Sequence, residues 1–162
     1  RSGKIYTVEV VAPEMNAIPL SKIVESKGVD EKYNLGDNLD KWNYLKGAKD
    51  IIRKAGTPHE YHFREGAVAF PDALNKPART MLTSESTTNR SSHVVKDNVS
   101  GNLRTLTPVE AERIQMFPDN WTNIESKAMT ERRRYFMMGN ALVVGVVERL
   151  GKYLEKIVEN ED

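Results

Sequence analysis

Arg104-Thr-Leu-Thr-Pro-Val-Glu-Ala-Glu-Arg-Ile-Gln-Met-Phe-Pro-Asp119 starts a helix abruptly and stops it abruptly. Thr107 is a good N-cap, Pro108 suits the first helical position, and Glu110 sits where a capping-box carboxylate reaches back. Val109, Ile114 and Phe117 can share one buried side, and Pro118 cannot continue the helix. These signals predict a helix from about Pro108 to Met116. Helix propensity gives no reason for Arg104, Glu110, Arg113 and Gln115 to accompany the Phe117-Pro118-Asp119 ending.

Downstream, Trp121 to Met129 reads as a connection. Glu131 to Met138 is helical in pattern, with Tyr135, Phe136 and Met138 apolar. Gly139-Asn140 breaks the pattern, and Asn140 is expected to cap the next helix. From about Ala141 to Val158, the residues Val143, Val146, Val147, Leu150, Leu154 and Ile157 recur at helical spacing. Glu148, Arg149, Lys152, Glu155 and Lys156 take the other face. That apolar seam is more than a small lobe can cover, so it predicts a heteromeric partner, or self-association without one.

Upstream, Lys4–Val11 alternates as a strand does, with Tyr6, Val8 and Val10 on one side; an irregular lead-in is the alternative. Pro19 opens a brief helix to about Ser26, with Leu20, Ile23 and Val24 inward. Asp37 is expected to cap a second helix carrying Leu39, Trp42 and Leu45, stopped by Gly47. Lys46, Lys49, Arg53 and Lys54 surround an expected helical turn at Ala48–Arg53, either a solvated face or a phosphate contact. His59 and His62 have a metal-ligand spacing, but with no cysteine or third histidine beside them no metal site is expected. Tyr61–Arg64 and Ala67–Phe70 read as strands joined at Glu65-Gly66. Ala78–Thr83, His93–Lys96 and Leu103–Thr105 read as further short strands around the polar run Ser84–Ser92.

The 162 residues are enough for one domain or two small lobes. A hydrophobic content of 39% and a charged content of 29% describe a folded chain, and no apolar run approaches a membrane span. No signal peptide is visible, which predicts the cytoplasm. Arg1 in place of Met suits a piece of a longer product. The net charge of +1 makes any nucleic-acid argument a local one. One local case exists. Across Lys76–Arg104, the bases Lys76, Arg79, Arg90, Lys96 and Arg104 face only Glu85 and Asp97. Between them lie Thr80, Thr83, Ser84, Ser86, Thr88, Asn89 and Ser91, short donors and acceptors suited to base edges and phosphates. Composition alone favours an ordinary polar surface loop.

The Arg104–Asp119 combination resembles the ninth ordered motif of DNA (cytosine-5)-methyltransferases, and Arg134-Tyr-Phe-Met-Met-Gly-Asn-Ala-Leu-Val143 resembles the tenth. Order and gap both match. Phe70-Pro-Asp72, Pro77-Ala-Arg-Thr80 and Asn89-Arg-Ser-Ser-His93 also resemble the target-recognition region of bacterial modification enzymes. In that family a Thr followed by an aliphatic residue marks this region; Thr80-Met81 matches, with Met as a departure. The resemblance turns the preference at the polar loop toward DNA. It makes Arg79, Thr80, Thr83, Ser84, Ser86, Thr88, Asn89, Arg90 and Ser91 the expected DNA contacts, with Arg79 and Arg90 foremost. It makes Arg104, Thr107, Glu110, Arg113 and Gln115 structural. It places Gly139, Asn140 and Ala141 beside the methionine part of S-adenosylmethionine, where a helix N-terminus would offer amides to the cofactor carboxylate.

The family's Pro-Cys nucleophile, Glu-Asn-Val, Phe-x-Gly-x-Gly and Gln-x-Arg-x-Arg motifs do not occur in this chain, which has no cysteine. The family flips its cytosine out of the duplex and attacks it with a thiolate, a role serine and threonine do not fill. The resemblance therefore implies an α+β chain that is not catalytic alone. A mixed α/β target-recognition lobe (1–105) would precede a helical segment (106–162) whose last helix packs on a Rossmann-like methyltransferase domain absent from the chain. Double-stranded DNA and a catalytic domain or subunit carrying the Pro-Cys motif are the expected partners. The alternative is a non-enzymatic DNA-binding or protein-interaction module that keeps this fold.

Overall fold

The computed structural model describes residues 3–5, 7, 9, 11, 16–54, 56, 59–124 and 129–160. The expected first strand falls on Tyr6, Val8 and Val10, which lie outside the described residues. Single 3-10 turns at Leu20–Lys22, Glu31–Tyr33 and Gly36–Asn38 lead into helix α1, Leu39–Lys46. Strands β1 (Lys49–Lys54) and β2 (Glu60–Glu65) form one antiparallel ribbon; β3 (Val94–Lys96) and β4 (Leu103–Thr105) form another. Helices α2 (Pro108–Ile114), α3 (Glu131–Asn140) and α4 (Val144–Glu159) complete the described chain.

Several expectations change. The brief helix after Pro19 is one 3-10 turn, although Leu20, Ile23 and Val24 are buried as expected. Asp37 lies inside a 3-10 turn and does not cap α1, which starts after Asn38 with no side-chain cap; Gly47 ends it as expected. Lys49–Lys54 is a strand and not a helical turn, because Ile51 and Ile52 are β-branched and pair across to Phe63 and His62. Ala67–Phe70 and Ala78–Thr83 form no strand; backbone bonds such as Val68 N to Lys46 O take the place of a ladder. Helix α2 ends at Ile114, before Pro118, where Met116 turns to a left-handed φ of 62°. Asn140 ends α3 and does not start α4.

Three small apolar clusters hold these elements. Leu20, Ile23 and Val24 meet Val95 and Leu106; Leu35 and Trp42 meet Val94; Met81 meets Ala111, Tyr135 and Met138. Two of the three draw residues from both sides of position 105. Between them runs a buried ionic lattice. Glu110 closes the expected capping box with Thr107, and its carboxylate accepts from Thr107 N (2.8 Å), Glu25 N (2.8 Å) and both Nη atoms of Arg104 (2.7 and 2.8 Å). Arg104 Nε reaches Asp97 at 2.8 Å. Burial works against the Arg104 charge, but the Glu110 and Asp97 carboxylates outweigh it and raise its pKa further. A second lattice ties α2 to α3: Glu112 accepts from Arg134 Nη2 (2.9 Å), Thr122 N and Oγ1, and Asn120 N (2.7 Å).

Removing one partner of a buried pair strands the other charge. Arg104→Ala should therefore lose about 3–5 kcal/mol in urea unfolding. Lys152→Ala, which breaks the exposed Lys152–Glu148 pair, should leave the unfolding midpoint close to that of the parent. Equal losses would contradict this account of the lattice.

Candidate nucleic-acid interface

The polar loop expected to read DNA is stitched to itself. Asn89 Oδ1 accepts from Ser91 N (2.8 Å) and Ser92 N (3.1 Å), while its Nδ2 donates to Ser84 O (3.0 Å) and Ser92 Oγ (2.7 Å). Asn89 is thus the hub of the turn, with its amide committed inside it. Arg79 is equally occupied. It forks onto the buried Asp72 (Nε 2.6 Å, Nη2 3.1 Å) and donates to Ser91 O at 3.0 Å. Asp72 in turn accepts from Val94 N at 2.9 Å.

Arg90 also turns inward. Its Nη1 donates to Leu45 O (2.8 Å) and Gly47 O (2.9 Å), and its Nη2 donates to Gly66 O. These carbonyls flank the two feet of the β1–β2 ribbon, so Arg90 staples the ribbon to the loop. The two arginines expected to lead the DNA contacts therefore hold the fold together, because each guanidinium found backbone carbonyls or a carboxylate within reach. Thr80, Ser86 and Thr88 remain exposed; Thr83, Ser84 and Ser91 are half-buried.

Under the loop, the buried Glu85 accepts from His93 N (2.6 Å) and meets His93 Nδ1 at 3.1 Å. Lys46, also buried, donates to Ser92 O and lies 5.6 Å from the centre of the Trp42 ring. Burial foremost, with Arg79 nearby, pushes its ammonium down to about 8. Asp72, Glu85, Asp97, Glu112 and the ion-pairing role of Arg134 escaped sequence reasoning. Each is a charged residue in a polar stretch, and only the partner that folding sets beside it marks its place.

Of the residues expected to be structural, Arg113 and Gln115 both bond within the protein. Arg113 forks onto Asp119 (2.7 and 2.6 Å) and reaches Ile23 O at 2.9 Å. Gln115 Nε2 donates to Met138 O at 2.9 Å, and its backbone carbonyl accepts from Val144 N at 3.0 Å, linking the ends of α2 and α3 to the start of α4.

Gly139, Asn140 and Ala141 lie at the C-terminal end of α3, with Ala141 as its C-cap. The argument from helix-start amides fails there, since α4 begins only at Val144. Gly139 faces the backbone that leads into the polar loop: an added Cβ would lie 2.5 Å from Leu82 C and Thr83 Cα. Its missing side chain thus admits that backbone. Asn140 is exposed, with Nδ2 donating to Phe136 O at 2.9 Å, and Ala141 is half-buried. Beyond them α4 buries no residue; Val147, Leu150 and Leu154 are 47%, 58% and 63% exposed.

The family described as C-5 cytosine-specific DNA methylase matches residues 9–156. The chain belongs to that family. This methylase-family chain is 48% identical over 158 residues to the Type II methyltransferase M.Sau3AI of Staphylococcus aureus, a match spanning 97% of the chain and 37% of the relative. The chain thus spans a little over a third of that relative's length. Two solved structures share its fold. The Entamoeba histolytica methyltransferase EhMeth matches with a TM-score of 0.59 at 17% identity, over 96% of this chain and 46% of that one. The S. pombe Dnmt2 methyltransferase matches with a TM-score of 0.58 at 18% identity, over 93% and 44%.

Two outcomes follow from the loop's packing. Gly139→Ala should destabilise by about 1–3 kcal/mol, because backbone must shift to admit the methyl. Gly145→Ala meets only the flexible Met116 side chain, with Sδ at 2.6 Å, and gains helix propensity, so its unfolding midpoint should stay close to that of the parent. The folded-state pKa of Lys46 lies below its unfolded value of 10.5, so the unfolded chain binds more protons from about pH 8 upward. Stability relative to Lys46→Met should therefore rise with pH across that window; a flat difference in chemical unfolding would refute the assignment.

Proposed function

We propose that this chain is the DNA-recognition part of a DNA (cytosine-5)-methyltransferase, not catalytic alone, and that it works with a polypeptide or domain carrying the Pro-Cys motif. Residues 1–105 would form the target-recognition region and 106–162 the segment completing the catalytic domain. The observation that carries this reading is α4. Its apolar stripe is continuous from Val146 to Ile157 and exposed throughout, as expected of a helix whose cover lies elsewhere. A Rossmann-like methyltransferase domain is the cover the family offers; without it, the stripe would drive self-association.

On this reading double-stranded DNA is the substrate, and its contacts include the exposed Thr80, Ser86 and Thr88 with the half-buried Thr83, Ser84 and Ser91. Arg79, Asn89 and Arg90 shape that surface from behind. S-adenosylmethionine supplies the methyl group when bound. Gly139 does not fit a direct role, because its open side is filled by Leu82–Thr83. Asn140 and Ala141 fit better: the exposed carboxamide oxygen of Asn140 accepts no hydrogen bond among the described residues and can accept from the cofactor's ammonium.

The test is reconstitution. The chain, a polypeptide with the Pro-Cys motif, labelled S-adenosylmethionine and duplex DNA should give methyl transfer only when all are present. Leu150→Asp should leave the chain folded and abolish transfer. DNA binding without methylation in every pairing would favour a non-enzymatic DNA-binding module.

A further inference from the structure

The β1–β2 ribbon buries none of its residues. Each strand has six residues, so the ribbon extends roughly 20 Å at about 3.4 Å per residue. Its register sorts the side chains into two faces. On one, Asp50 pairs with His62 (2.8 Å) and Arg64 (3.0 Å), and Lys54 pairs with Glu60 (3.2 Å). That face has satisfied its own charges.

The other face carries Ile51, Arg53, Phe63 and Tyr61, with Lys49 and Glu65 paired at its foot. Arg53 lies across the ring of Phe63, with its guanidinium carbon 3.7 Å from the ring centre. It forms no hydrogen bond or ion pair among the described residues. Arg64, Arg79, Arg90, Arg104, Arg113 and Arg134 all donate to acceptors within the protein. Arg132 is uncommitted too, but has no ring beneath it. Arg53 thus combines a free donor edge with a plane held by stacking.

The ribbon is also aimed. Arg90 bonds the carbonyls of Gly47 and Gly66 at its two feet, and Val68 N bonds Lys46 O (2.8 Å) just below. Its direction is therefore set by the loop that presents Ser86 and Thr88.

We propose that the β1–β2 ribbon enters the major groove of duplex DNA and that Arg53, braced on Phe63, reads a guanine. The groove is about 12 Å wide and admits a two-stranded ribbon; Arg donates two parallel bonds to guanine O6 and N7. A guanidinium stacked on a ring loses little freedom on making those bonds. Ile51 and Tyr61 present the apolar surface a thymine methyl needs. The inference rests on the DNA-recognition reading above and assigns it a particular element.

The test begins by selecting duplexes from a random library with the unsubstituted protein, alone and in the reconstituted mixture. Arg53→Lys keeps the charge and loses the fork. It should bind the selected duplex at least about tenfold more weakly while binding unselected duplexes unchanged. Replacing guanine by 7-deazaguanine at the contacted position should cost the unsubstituted protein a similar factor and cost Arg53→Gln nothing more. Arg53 is exposed and supports no backbone group, so an unchanged thermal midpoint checks that both variants fold. An equal loss on every sequence means a phosphate contact and overturns the inference. Selectivity unchanged in both variants overturns it as well, while leaving the DNA-recognition reading intact. No DNA binding by the unsubstituted protein in either form overturns both.

Discussion

The carboxylate of Glu110 is the point on which this structure depends. It lies buried at the start of α2 and accepts from the guanidinium of Arg104, the amide of Thr107 and the amide of Glu25. One side chain thus fastens strand β4, the helix cap and the N-terminal turns together. A buried charge is tolerable only when its lone pairs are filled, and here they are. The Glu112–Arg134 lattice repeats the device two residues later, between α2 and α3. With three apolar clusters of modest size, the chain relies on these lattices to fix the angles between its short elements.

That arrangement explains how the polar loop is held although it contains no strand. Arg79, Asn89 and Arg90 give their donors to backbone carbonyls and to Asp72, doing for the loop what a ladder does for a sheet. The same arginines would suit nucleic acid by type alone. Residue type does not say whether an arginine finds its acceptor inside the fold or outside it. Arg53 differs because it bonds no acceptor among the described residues and lies against the Phe63 ring instead.

The glycines of the last segment divide in the same way. Gly139 is needed where α3 meets the loop, since the Leu82–Thr83 backbone occupies the space of a side chain. Helix α4 then leaves the body with its apolar stripe open. Gln115 bridges the two regions, so the polar loop, α2, α3 and the root of α4 are held as one connected unit.

The sequence by itself determined the capped start of α2, the α4 stripe, the β3 and β4 positions and the family. Each is written in neighbours a few residues apart: Thr107 with Glu110, Val146 with Leu150, Arg104 through Asp119. It misjudged Lys49–Lys54, Ala67–Phe70 and Ala78–Thr83, where short apolar runs suit more than one conformation and partners elsewhere choose between them. Tertiary structure alone decided that Asn140 ends a helix, that Arg79 and Arg90 bond carbonyls and a carboxylate of the protein, and that Glu112, Asp72 and Glu85 are buried. The physical reason is the same throughout. A cap or an apolar stripe is a local free-energy preference, whereas a buried charge is stable only beside a partner that the folded backbone sets against it, as Arg134 is set against Glu112.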